Sequence, residues 1–72
     1  MEKNYSECFI RNLKELRKEK QYLQKDVAEK LGVAVSTYAN WEQGRTEPSI
    51  SDIFNLLSVF EIEANELFSV TE

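Results

Sequence analysis

This 72-residue chain has no histidine, and only one cysteine, one proline and two glycines. Without histidine it lacks the commonest general base and the commonest metal ligand. Cys8 stands alone, so it offers neither a disulfide within the chain nor a metal cluster. It reads as a small, semi-buried hydrophobe near the start of a helix. Carboxylates are plentiful, but they sit among lysines at helical spacing, as a solvated face does, and not as pairs set for acid–base work. No nucleophile is placed with a base, and no glycine-rich loop is available to cradle a phosphate. These absences argue against an enzyme and against any bound cofactor or metal.

Other absences bound the class. No apolar run approaches the ~20 residues needed to span a bilayer. The opening stretch "MEKNYSECFIRNLKEL" has no apolar signal core, so neither a membrane nor secretion is expected, and the location expected is cytoplasmic. No alternation of β-branched residues lasts long enough to read as a strand. Repeats, low-complexity tracts and linkers are missing too. The chain reads as one domain, 1–72. A chain of this size buries only about 60% of its unfolded surface, so modest stability is expected.

Base is absent from one region only. All nine Lys and Arg lie in residues 1–45, against seven acids, a balance of +2. Residues 46–72 carry six acids and no base, a balance of −6. The net charge of −4 argues against nucleic acid when taken whole. Its distribution leaves a basic end that can meet a polyanion while the acidic end is held away.

What is present is helical periodicity. Phe9, Leu13 and Leu16 form a stripe that predicts a helix over 7–19, with Ser6 as its cap. A second helix is expected over 24–31, with Val27, Ala28 and Leu31 inward, closed by Gly32. A third is expected over 35–43, with Tyr38 and Trp41 inward as core and not as stacking platforms, closed by Gly44. Pro48 stops anything crossing it. Ser49 and Asp52 then make a capping box for a fourth helix with Ile53, Leu57 and Phe60 inward, the stripe widened by Ile50, Phe54 and Leu56. A last short helix over 64–68 brings Leu67 and Phe68 to the core. Two short helices about the tight turn "GVAV" form a helix-turn-helix. Val33 plugs their angle, and Ala28 is small where the second helix must let the third approach.

The run from Leu23 to Phe68 resembles the phage-repressor family of small DNA-binding domains, the Cro or XRE type. The most specific parts are Gln24, "A-x-x-L-G" at Ala28–Gly32, "W-E-x-G" at Trp41–Gly44, and Pro48-Ser49. The resemblance implies an all-α, compact, five-helix lambda-repressor-like domain and a sequence-specific transcriptional regulator, a dimeric repressor by family tendency. It implies double-stranded DNA as partner, with the helix over 35–43 in the major groove. Val35, Ser36 and Asn40 match base-reading positions, with Ala39 nearby. Gln24, Thr37, Arg45 and also Asn40 match positions at or near the phosphate backbone, and Lys25 belongs to a lysine group that can face phosphate. Arg17 and Glu42 match a partly buried ion pair tying the first helix to the end of the third.

Three departures stand out. Leu23 and Ala34 hold positions where the family commonly has a Ser or Thr cap. The third helix has no Lys or Arg. Glu61 stands where a helix-closing glycine is usual, so the fourth helix is expected to run on or end less cleanly. Apolar residues after Pro48 also exceed what one small core takes up. Phe54, Phe60, Ile62, Phe68 and Val70 are therefore candidates for a homodimer interface. The rival reading is a protein-interaction module, antitoxin-like or regulator-binding, that keeps the fold, has a protein partner and has weak DNA affinity.

Overall fold

The structure, a computed structural model, describes residues 5–69, with side chains from Glu7 onward. These residues form five helices and no strand: α1 (Tyr5–Glu19), α2 (Gln24–Leu31), α3 (Val35–Gln43), α4 (Ile50–Phe60) and α5 (Ala64–Phe68). α2 packs on α3 and α4, while α1 packs on α3 and α5. α1 begins at Tyr5, earlier than expected, so Ser6 lies in its first turn and not at its cap.

The inward stripes meet in one core. Leu13, Val27, Ala28, Tyr38, Leu56, Phe60 and Leu67 are wholly enclosed and Trp41 nearly so. Phe9, Leu16, Leu31, Val33, Ile53 and Leu57 pack around them, partly buried. Each large enclosed side chain stabilises the fold by about 1.5–3 kcal/mol. Ala28 is fully enclosed, and Val33 packs partly buried against the same core. Three expected core positions are not core. Ile50 is 75% exposed, Phe54 66% and Phe68 40%. The inward line of α4 runs through Leu56 and Phe60, and Ile50 and Phe54 lie off it.

One device ends four helices. After α1, α2, α3 and α4 the chain enters the left-handed region at Gln21, Gly32, Gly44 and Glu61. In each case the next residue donates its N–H back to a carbonyl five residues earlier: Tyr22 to Arg17, Val33 to Ala28, Arg45 to Asn40, and Ile62 to Leu57, all at 3.0 Å. This is the Schellman closure. α4 therefore ends cleanly at Phe60, and Glu61 (φ 58°) does not let it run on. The residue that follows the left-handed position usually packs inward, and Tyr22, Val33 and Ile62 do so. At the closure of α3 that residue is Arg45, which is exposed. Gly44 is favoured by its left-handed backbone (φ 77°), since a Cβ there would meet only the movable tip of Ile10, with Cδ1 at 2.9 Å.

The start of α4 is capped both ways. The Ser49 Oγ accepts from the Asp52 N–H at 3.1 Å, and the Asp52 Oδ2 accepts from the Ser49 N–H at 3.0 Å. Asn12 does similar work for α5. It is buried, and its Nδ2 donates to the carbonyls of Leu67 and Ser69, both at 2.9 Å. The last carbonyls of a helix need such donors.

Candidate nucleic-acid interface

The inward side of α3 fixes its outward side. Tyr38, Trp41 and Glu42 are buried, and the Tyr38 and Trp41 rings meet edge-on at 5.9 Å. The opposite face then carries Val35 (46% exposed), Ser36 and Gln43, all exposed, with Thr37, Ala39 and Asn40 half-buried beside them. Ser36, Asn40 and Gln43 follow the i, i+4, i+7 spacing of one helix face. Gln43 was not among the residues singled out in the sequence, although the same spacing points to it.

No exposed charge lies on α3. Its one ionisable carboxylate, Glu42, is buried and forms the centre of a network. Arg17 Nε donates to Glu42 Oε2 at 2.6 Å, and Arg17 Nη2 to Oε1 at 3.2 Å. Arg17 Nη1 donates to the Tyr22 carbonyl at 3.0 Å. Gln24 Nε2 donates to Glu42 Oε1 at 3.0 Å. The structure thus brings Arg17, Glu42 and Gln24 together and joins α1, the α1–α2 turn, the start of α2 and the end of α3. Burial pushes the Glu42 carboxyl up, but the Arg17 bond, with Tyr38 and Gln24 beside it, more than offsets this and leaves it below its ordinary value. The Tyr38 hydroxyl is buried without a hydrogen-bond partner, and burial above all, with Glu42 next, holds it protonated.

The starts of α2 and α3 are open. Neither Leu23 nor Ala34 provides a side-chain cap. At α2 the Asp26 Oδ2 still accepts from the Leu23 N–H at 2.8 Å, so half of a capping box survives. α3 has no acid in its first turn. Its leading N–H groups, at the positive end of the helix, lack a side-chain acceptor. Lys25 and Arg45 are exposed beside these elements. Lys20 lies 3.7 Å from Glu61, and Lys30 stands 5.1 Å over the Tyr22 ring.

The outward residues of α4 and α5 differ. Phe54 and Phe68 are exposed, and Phe68 stacks on Phe9 at 5.6 Å. Ile62 is half-buried against the core. Phe60 is fully enclosed and so supplies no interface surface, because it faces the core on the inward line of α4. Val70 lies outside the described residues. Among the described residues, no helix is long and apolar enough to cross a membrane.

The sequence profile of the helix-turn-helix family matches residues 13–67 of the chain. The chain belongs to this helix-turn-helix family. It is 32% identical over 59 residues to YqaE of Bacillus subtilis, an uncharacterized HTH-type transcriptional regulator, covering 82% of this chain and 51% of that protein. It is 40% identical over 55 residues to the HTH-type transcriptional regulator AnsR of the same organism, covering 76% of this chain and 47% of that one. The chain thus spans about half the length of the curated relatives it matches. Among solved structures, it is similar to the restriction-modification controller protein C.AhdI of Aeromonas hydrophila, with a TM-score of 0.80 and 33% identity, covering 85% of this chain and 92% of that one. A transcriptional regulator of Listeria innocua matches with a TM-score of 0.77 and 31% identity, covering 89% of this chain and 60% of that one. The resemblance to the XRE type and the all-α fold both hold. The curated relatives are HTH-type transcriptional regulators.

Proposed function

We propose that the chain is a sequence-specific DNA-binding regulator that acts as a homodimer and represses by occupying a short operator in the cytoplasm. α3 lies in the major groove, and Val35, Ser36, Ala39 and Asn40, with Gln43, face base edges. The observation that carries this reading is the outer face of α3, which holds Ser36, Asn40 and Gln43 and no charge, while Lys25 in α2 and Arg45 just past α3 are exposed. Asn40 offers a donor and an acceptor together, matching the N6/N7 edge of adenine. Val35 offers only apolar contact, which suits a thymine methyl. Gln24, Lys25, Thr37 and Arg45 hold phosphates, helped by the open N–H groups at the start of α3. The exposed Phe54 and Phe68, with Ile62, form the dimer contact. Two-fold symmetry then sets the recognition helices about 34 Å apart, one turn of DNA. The reading involves no catalytic step and no cofactor.

Asn40→Ala tests it. The substitution is expected to cost about 1–3 kcal/mol of discrimination at one base pair, measured by competition between operator variants, while the urea midpoint stays put. A loss of affinity that is equal on all sequences would remove Asn40 from base reading.

A further inference from the structure

The buried network of α1, α2 and α3 has one member that is neither wholly buried nor ionic. Gln24 is half-buried at the first position of α2, and its Nε2 donates to Glu42 Oε1 at 3.0 Å. A glutamine amide has two faces of opposite sense, an oxygen that accepts and a nitrogen with two N–H donors. Left to itself it turns either end outward. An ionised carboxylate only accepts, so it takes the nitrogen end and no other. Glu42 is held ionised and in place by two bonds from Arg17, which is itself anchored on the Tyr22 carbonyl.

We infer that Glu42, although it is buried behind α3, is a positioning residue for DNA: it fixes the polarity of Gln24, so that the amide's second N–H is the group offered to a phosphate. One N–H is spent on Glu42. The other diverges from it by the planar geometry of the amide and remains available to an acceptor at the start of α2. Were the amide reversed, its oxygen would face the phosphate and repel it. The contact needs no net charge, because Arg17 and Glu42 cancel. It therefore adds affinity without releasing a counterion, unlike Lys25 or Arg45. The inference rests on the DNA-binding reading and adds to it a residue that touches no DNA.

The side-chain amide signals of Gln24 read this directly. In the ¹⁵N–¹H spectrum of the free protein, one Gln24 amide proton should be shifted downfield by the carboxylate. On titration with a random-sequence duplex in low salt, that proton should stay and its geminal partner should move. Gln24→Met removes the donor while keeping the shape, and is expected to weaken duplex binding about 10-fold, the weight of one hydrogen bond to a charged group. Its slope of affinity against salt should not change. The paired variant Arg17→Met with Glu42→Met removes the ion pair without stranding a charge, so it is expected to fold. It should lose the downfield signal and only about 2-fold in affinity, since an unpinned amide can still turn its donor to the phosphate, and the combined variant should lose no more than Gln24→Met alone. If the paired variant does not fold, the wild-type titration still decides through which proton moves. Wild-type binding in which neither Gln24 proton moves, or additive losses in the combined variant, would overturn the inference alone. Failure of the wild type to bind any duplex would overturn the DNA-binding reading and this inference with it.

Discussion

Helices α3 and α4 each turn a face to solvent, and the two faces have little in common. On α3 the face is small, uncharged and polar, from Ser36 to Asn40 and Gln43, and the helix start has no side-chain cap. On α4 it shows Ile50 and Phe54, and the helix start is capped in both directions. The charges divide the same way, with every base before Thr46 and only acids after it. The difference teaches where a small domain keeps its local stability. A satisfied helix start stabilises but leaves no N–H for a ligand, whereas an open start costs about 0.5–2 kcal/mol and stays free to bind. The capped α4 and the Asn12 clamp on α5 hold the bundle together. The start of α3 has no such cap.

The comparison is sharpest between two phenylalanines of α4. Phe60→Ala should cost about 3–5 kcal/mol in urea unfolding, since it empties an enclosed site. Phe54→Ala should leave unfolding of the dilute protein within about 0.5 kcal/mol and instead reduce self-association in sedimentation. Equal costs would mean the outward face of α4 is a core face. On the α3 side, Glu42→Ala leaves the half-buried Arg17 without its carboxylate and should cost about 1–3 kcal/mol. The network also has a pH signature. Glu42 titrates lower folded than unfolded, so its stabilising contribution is complete above the ordinary carboxylate range and is lost as pH falls through the folded value. The urea midpoint followed downward from pH 6 should fall less steeply for the paired Arg17→Met, Glu42→Met variant than for the wild type.

Smaller effects test the helix ends. Ala34→Ser should raise stability by about 0.5–2 kcal/mol by supplying the missing cap. If it also raises DNA affinity, the cap and the phosphate do not compete for the same N–H groups. Glu61→Gly should raise stability by about 0.5–1 kcal/mol, since it relieves a left-handed non-glycine residue. The pair it gives up with Lys20 is long and exposed and contributes little.

How much of this was legible in the sequence depended on the kind of signal. Period-3.6 stripes placed α2, α3 and α4, because one long, consistent core face demands them, and Gly32, Gly44 and the Ser49–Asp52 pair marked their ends. Gln21 and Glu61 were harder to read, because neither residue type favours the left-handed region. The usable sign was the apolar residue that follows each, Tyr22 and Ile62. Nothing in the sequence marks Asn12 as a donor to α5, because its bonds to the carbonyls of Leu67 and Ser69 span 55 and 57 positions. Phe54 and Phe60 could not be told apart, because a stripe counts apolar residues and a small core takes up only some of them. On the candidate site, the family motif pointed to Gln24 and to Glu42 with its partner Arg17. Their shared hydrogen bond spans 18 positions and is a product of the fold.

The central claim is that the outer face of α3 reads base sequence. The most direct test is selection of duplexes from a random library by the purified protein, at low and moderate salt, followed by sequencing. The account predicts enrichment of a pseudo-palindrome with half-sites about 10 bp apart that survives moderate salt. Retention that is blind to sequence and vanishes as salt rises would leave phosphate contact alone and contradict the claim.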